Sequence, residues 1–463
     1  VTSLDAESGT SYGPELLVRL RGGRRRAQLE DRLRELVRDG TLAAGSRMPS
    51  SRALAVDLGV SRRLVVDAYA QLLAEGYLVA RRGAGTYVAA AGTVEDMPPA
   101  PAASSAPQFD FFPGAPDLSA FPRALWLSAT REVLRTAPDG AFAYPDARGA
   151  PDLRRALGAY LRRVRGVAVD PESIVVCAGA TQGLALLGRA LVAEGIGAID
   201  VEDPGLPPHR AVLAYAGLQV CGARVDEQGL DVSSLRSPVV LSTPAHQCPT
   251  GVVLSPQRRG ELVQWAREGG LVIEDDYDAE FRYDRAPLAA LQGLAPDRVV
   301  YLGTVSKTLA PGLRLGWLIV PPSLSDAVVQ AKALDDLGCS VLDQLVLARL
   351  LQTSAYDRHL RKARRRNRAR RDALIGAVEQ ELPGARVSGV SAGLHALVRL
   401  PRGVELQALL AGAAEQSLGI YPLNLHRIDP GGPVEALVMG YANLSEPAIA
   451  EGVRRLAGVL AAL

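Results

Sequence analysis

The stretch VVYLGTVSKTLAPGLR, residues 299–314, decides how the rest of the chain is read. It opens on a short apolar run, Val299 to Leu302, of the kind that forms a strand buried on both faces. Gly303 ends the run, and a polar motif follows: Ser306, Lys307, Thr308 and, seven residues past the lysine, Arg314. Lys307 is one of only three lysines, with Lys332 and Lys362, among 52 basic residues. A chain that takes its positive charge from arginine keeps lysine where arginine fails, and arginine cannot be deprotonated to a nucleophilic amine. A lysine amine can form a Schiff base, and Ser306 and Arg314 beside it can hold a phosphate.

Outward from this motif the chain alternates short apolar runs with helical segments. Ile174–Cys177, Ala198–Val201, Val239–Ser242 and Leu271–Ile273 read as strands, with helices between most of them. That alternation predicts a mainly parallel sheet wrapped by helices. Ligands in such folds collect at the carboxyl ends of the strands, and two more polar motifs fall there. Gly179-Ala180-Thr181-Gln182 joins a strand to a helix, where small residues let backbone N–H groups approach an anion. Glu274-Asp275-Asp276-Tyr277 puts three acids at the end of a buried strand, a costly arrangement unless a cation faces them. An Asp opposite a pyridinium nitrogen fits, and alternation turns Asp275 and Tyr277 the same way. A phosphate cradle, an Asp-x-Tyr and a lysine together imply pyridoxal 5′-phosphate.

The N-terminal part differs in charge. From Arg19 to Arg82 there are 14 arginines against seven acids, whereas the whole chain is only +2. A basic module therefore rides on a slightly acidic body, the electrostatic footprint of nucleic-acid binding. Helical periods predict a helix over Arg24–Asp39, a short second helix capped by Ser50 or Ser51, and a third from its cap Ser61 to Glu75. Short strands, Tyr77–Ala80 and Thr86–Val88, flank a glycine-bearing bend. This is the pattern of a winged helix-turn-helix, whose third helix enters the major groove N-terminus first. Arg62 and Arg63 stand there for base edges, and Arg52, Arg81 and Arg82 for phosphates.

The remaining composition mostly excludes. With 463 residues, 48% of them hydrophobic, the chain is long enough for two or three domains. No uncharged apolar run is long enough to span a membrane, and Val1–Pro14 lacks an apolar signal core, so a cytoplasmic protein is expected. Four scattered cysteines and five histidines show no metal-ligand spacing, and no metal is expected. The arginine-rich run Arg358–Arg371 reads as a solvated helix face or, alternatively, a second DNA contact. Domain boundaries are expected at 14–89, a Pro/Ala-rich linker at 90–108, and 109–463.

Over Gly40–Val88 the chain resembles the GntR-type winged helix, including its P-S-S-R box and the wing tip Gly83-Ala84-Gly85-Thr86. Leu64 departs from that family's usual threonine. From Phe109 onward the chain resembles fold-type I aminotransferases, through FPGAPDLSAFPRALW, AGATQGL, EDPG, TPAHQCPTG, EDDYDAEFRY and SKTLAPGLRLGW. The whole is similar to the MocR subfamily of GntR regulators. The resemblance implies that Lys307 carries the Schiff base, that Asp275 pairs with the pyridine nitrogen, and that Tyr277 bonds the phenolic oxygen. Ala180, Thr181, Ser306 and Arg314 would hold the phosphate. A small C-terminal α+β subdomain and a homodimer are also implied.

Three departures bear on activity. Leu206 stands where the family stacks an aromatic ring on the cofactor. Cys248 replaces an asparagine, with Gln247 or His246 as substitutes. Val438 aligns with the arginine that clamps a substrate carboxylate, leaving Arg427 or Arg210 as alternatives. The expected function is a DNA-binding transcriptional regulator that senses pyridoxal phosphate, with vitamin B6 synthesis as a target, or an amino compound joined to it as an aldimine. It would bind an operator of repeated half-sites. An active aminotransferase with a DNA-binding appendage is the alternative.

Overall fold

The computed structural model describes residues 20, 23–89, 106–284, 288–389 and 391–463. The chain divides into two compact units, residues 1–104 and 105–463. The expected linker lies outside the described residues except at 106–108.

The first unit is a three-helix module with a two-stranded wing: α1 (Arg25–Arg38), α2 (Ser51–Asp57), α3 (Arg62–Ala74), β1 (Leu78–Arg81) and β2 (Gly85–Val88). Leu29, Leu33, Leu54, Val65, Ala68 and Leu72 recur at helical spacing and close one core. Ser50 caps α2 by accepting the Ala53 N–H, and Ser61 caps α3 by accepting the Leu64 N–H. The wing strands reach one residue further than expected: Arg81 pairs with Gly85, which narrows the bend to Arg82-Gly83-Ala84. Gly83 takes φ 75°, a left-handed turn position that favours glycine.

The second unit is built on an eight-stranded sheet. Its strands are β3 (Ile174–Cys177), β4 (Ala198–Asp203), β5 (Gln219–Asp226), β6 (Gly229–Leu230), β7 (Val239–Ser242), β8 (Leu271–Asp276), β9 (Val299–Thr304) and β10 (Gly316–Ile319). Their order is β3-β10-β9-β8-β7-β4-β5-β6. The five central strands run parallel, while β10 lies antiparallel between β3 and β9. Helices α4 (Pro151–Arg165), α5 (Gly179–Ala193) and α6 (Pro207–Tyr215) belong to this part. Apolar side chains from both sheet faces form separate cores, so β8 and β9 are buried throughout. A smaller antiparallel sheet follows, β11 (Arg386–Ser388), β12 (His395–Val404) and β13 (Val434–Gly440), the α+β subdomain expected at the C-terminus. No helix among the described residues is long and apolar enough to cross a membrane.

The arginine-rich run lies in one long helix, α7 (Ala355–Glu381). It is not a uniformly solvated face. Arg366 and Arg370 converge on Asp117 at 3.1 and 2.9 Å, and Arg364 donates to the Glu280 carbonyl. These arginines brace the unit from within, which removes them from any simple surface reading.

Candidate functional site

The consecutive acids of β8 separate by strand alternation. Glu274 accepts the backbone N–H groups of Leu291 and Gln292. Asp276 accepts from Arg165 Nε of α4 at 2.7 Å and from the Tyr301 hydroxyl at 2.5 Å. Asp275 and Tyr277 take the other side. Asp275 is 2% exposed, and neither carboxylate oxygen has a hydrogen-bond partner among the described residues. Burial pushes this carboxyl up to about 8, and the like charges of Asp276 and Asp278 add to the effect. His209 of α6 stands 3.6 Å away, kept neutral by burial and by Lys307, which lower its pKa to about 4.

Lys307 follows β9 in a tight turn whose hydroxyls are already organised. Thr304 Oγ1 lies 2.8 Å from Ser306 Oγ and accepts the Ser306 N–H. Burial lowers the Lys307 ammonium's pKa against the opposing pull of Asp278 and Asp275, which favours the neutral nucleophile. A Cβ on Gly114 would sit 3.2 Å from Lys307 Nζ, so glycine there leaves the amine its room.

Arg314 adopts the left-handed conformation, φ 49°, and this turns its guanidinium back to the start of α5. Nη2 donates to the Ala178 carbonyl at 2.5 Å, and a Cβ on Gly179 would lie 3.0 Å from both terminal nitrogens. No carboxylate among the described residues pairs with Arg314. A guanidinium without a carboxylate partner, beside a helix N-terminus bearing Gly179, Ala180 and Thr181, is an anion cradle.

Other candidates sit differently. Gln247 is fully engaged: its amide donates to Glu202 and to the Pro204 and Cys248 carbonyls, and its oxygen accepts from Thr250. It does not reach Tyr277. His246 does, with Nδ1 3.1 Å from the tyrosine hydroxyl. Leu206 caps α6 and lines a small cavity with His209 and Cys248. Arg210 is spent on the His426 and Arg427 carbonyls, at 2.8 and 3.2 Å, and the Arg427 side chain is exposed. Val438 is wholly buried with Leu397, Leu423 and Ala436, so no arginine occupies that wall.

The histidines are the signal that spacing missed. All five border this region: His209 by Asp275, His246 by Tyr277, His395 against His246 with ring centroids 5.1 Å apart, His426 on the Gly205 carbonyl, and His359 on the Thr308 carbonyl. They come from five separate elements, which no local motif brings together.

In the winged helix, Arg62 and Arg63 are exposed on the first turn of α3, and Arg52, Arg81, Arg82, Gly83 and Gly85 are exposed as well. Ser61 is held by its capping bond, and Thr86 is half-buried in β2. Arg81 stacks on the Tyr87 ring at 4.5 Å. Arg47, absent from the sequence-based set, packs against Gly85 at the wing.

A winged helix joined in one chain to a fold-type I aminotransferase body defines a class, the DNA-binding regulators built on an aminotransferase scaffold. The buried unpartnered acid, the half-buried lysine and the anion cradle fit the pyridoxal 5′-phosphate that this fold implies. Residues 25–88 match the model of the bacterial regulatory proteins of the gntR family, and residues 116–424 that of aminotransferase class I and II. The chain is 31% identical to the probable rhizopine catabolism regulatory protein MocR of Rhizobium meliloti, over 94% of each chain. It is 33% identical to the HTH-type pyridoxine biosynthesis transcriptional regulator PdxR of Corynebacterium glutamicum, over 90% of this chain and 92% of that one. Among solved structures, the α-aminoadipate aminotransferase LysN of Thermus thermophilus, complexed with N-(5′-phosphopyridoxyl)-L-leucine, is 28% identical. That match covers 77% of this chain and 93% of LysN, with a TM-score of 0.69. The chain belongs to the MocR subfamily of GntR regulators.

Proposed function

We propose that this protein is a homodimeric transcription regulator that binds a repeated operator through its winged helices and senses pyridoxal phosphate, or an amine joined to it, through its aminotransferase-like body. One observation carries the choice over a working aminotransferase. The groups suited to the cofactor are present, yet Val438, Arg210 and Arg427 offer no free buried guanidinium for a substrate carboxylate. Without such a clamp an amino acid is poorly held for turnover. When bound, the cofactor supplies an aldehyde that joins to amines and a ring that withdraws electrons. Lys307 would attach to that aldehyde, Asp275 would keep the ring nitrogen protonated, Tyr277 would donate to its phenolic oxygen, and Leu206 would lie against the ring. Arg314, Ser306, Ala180 and Thr181 would hold the phosphate. The regulator names of the Rhizobium and Corynebacterium relatives support this reading. The second of them favours the cofactor itself as signal, with vitamin B6 synthesis as the controlled process.

A ligand shifts DNA binding only if it binds two conformations with different affinity. Operator affinity of the full chain should therefore change when pyridoxal phosphate is added to cofactor-stripped protein. No change with pyridoxal phosphate or with any primary amine would refute sensing. Arg62→Ala should weaken specific operator binding by about 1–3 kcal/mol and relax base preference at one position per half-site. An unaltered footprint and affinity would remove Arg62 from base recognition.

A further inference from the structure

Behind Tyr277 lies a pair of buried groups that the proposed cofactor set leaves unused. Asp278 is 2% exposed, and the ion-pair neighbour it has among the described residues is His246, with Nδ1 2.9 Å from the carboxylate. The same Nδ1 is 3.1 Å from the Tyr277 hydroxyl. One ring nitrogen cannot donate to a carboxylate and accept from a tyrosine at once. A buried carboxylate with no other ion-pair partner among the described residues demands the donor, so Nδ1 carries the proton and the tyrosine oxygen becomes a second acceptor of that N–H. The tyrosine's own proton then points away from the imidazole. The loop before β12 is shaped to the pair. Gly393 has φ 74°, and a Cβ there would lie 2.0 Å from His246 Cε1 and 2.8 Å from the Asp278 oxygen.

We infer that His246, fixed by Asp278, is a positioning residue that makes the Tyr277 hydroxyl an obligate donor toward the phenolic oxygen of the cofactor. This rests on the cofactor assignment proposed above. A tyrosine left alone donates to a phenolate but accepts from a phenol, and so favours neither form strongly. One locked as donor stabilises the phenolate and lowers the pH at which the bound cofactor changes its visible absorption. The other titratable groups facing Tyr277 are Asp275 and Cys248, with Lys307 and His395 beyond them.

The test is a pH titration of the visible band of the cofactor-loaded full chain. His246→Phe and Asp278→Asn should each raise the midpoint by about one pH unit, a tenfold change in proton affinity. His246→Asn, whose amide can replace the Nδ1 donor, should restore most of the wild-type value. Should His246→Phe fail to fold or load, Asp278→Asn decides alone. A midpoint that moves in Tyr277→Phe but in neither His246→Phe nor Asp278→Asn would overturn the inference. A midpoint unmoved even in Tyr277→Phe would overturn it too, by removing the tyrosine from the phenolic oxygen. The cofactor assignment would survive that result, since it is tested separately at Lys307. His246, Asp278 and His395 offer ligand atoms within 4.8 Å of one another. A wild-type midpoint that shifts with a chelator would replace the inference with a metal site.

Discussion

Lys307→Ala should give a folded protein that has lost the visible absorption of the cofactor and no longer changes its operator affinity when cofactor is added. The loss is expected to be complete, because one covalent bond depends on one amine. Burial already lowers the proton affinity of that amine, so the wild-type group reaches its neutral, nucleophilic form at lower pH than an exposed lysine. Arg314 and the start of α5 remain in the variant, so only phosphate-mediated binding too weak to survive dialysis should persist. Lys307→Arg separates charge from nucleophilicity: it keeps the cation and should be equally colourless. A yellow arginine variant would show that the colour does not come from attachment at this residue. Operator binding without cofactor should be unchanged in both, since the winged helix is a compact unit with its own core.

Much of this site is legible in the sequence because each part is local. The rarity of lysine marks Lys307, and the Asp-x-Tyr pattern of the family that the chain resembles, supported by strand alternation, favours Asp275 over Asp276. The cap of α3 is likewise readable, since Ser61 precedes an apolar period at the right distance. What escapes is whatever depends on the far ends of the chain meeting. Gln247 looks available until tertiary packing spends its amide on Glu202 and the loop that carries Pro204. His246 and Asp278, 32 residues apart, become a pair only where the loop after β7 meets the end of β8. The antiparallel β10 is hidden for another reason: its run Gly316–Ile319 is short and fully buried, and such runs carry no sign of direction. Lysine scarcity also points to a second place. Lys332 is wholly buried against Asp336, and its Nζ lies 3.2 Å from Cys339 Sγ, so rarity marks a structural brace as readily as a reactive amine.

Adjacent acids on β8 should respond to removal in opposite ways. Asp276→Ala strips the partner from Arg165, whose guanidinium is 1% exposed, and leaves a buried charge unpaired. Breaking such a pair costs about 3–5 kcal/mol, so the variant should melt far below wild type. Asp275→Asn removes a carboxyl that has no hydrogen-bond partner, so the cofactor-free protein should lose little or no stability. Its cofactor affinity should fall by about 1.5–3 kcal/mol, the worth of a hydrogen bond to a charged group. The pH dependence carries a sign. Folding raises Asp275 from 3.8 to about 8, so between those values the native state holds a proton that the unfolded chain has released. Stability of the cofactor-free protein should therefore fall as pH rises through that window. A pyridinium opposite the carboxylate favours its ionised form, so cofactor should flatten the slope. Glu274 and Glu280, both raised to about 7 by burial, add to the slope in wild type and Asp275→Asn alike. The difference between the two melting curves across pH isolates Asp275. Equal slopes would mean that its carboxyl is not perturbed in the cofactor-free protein.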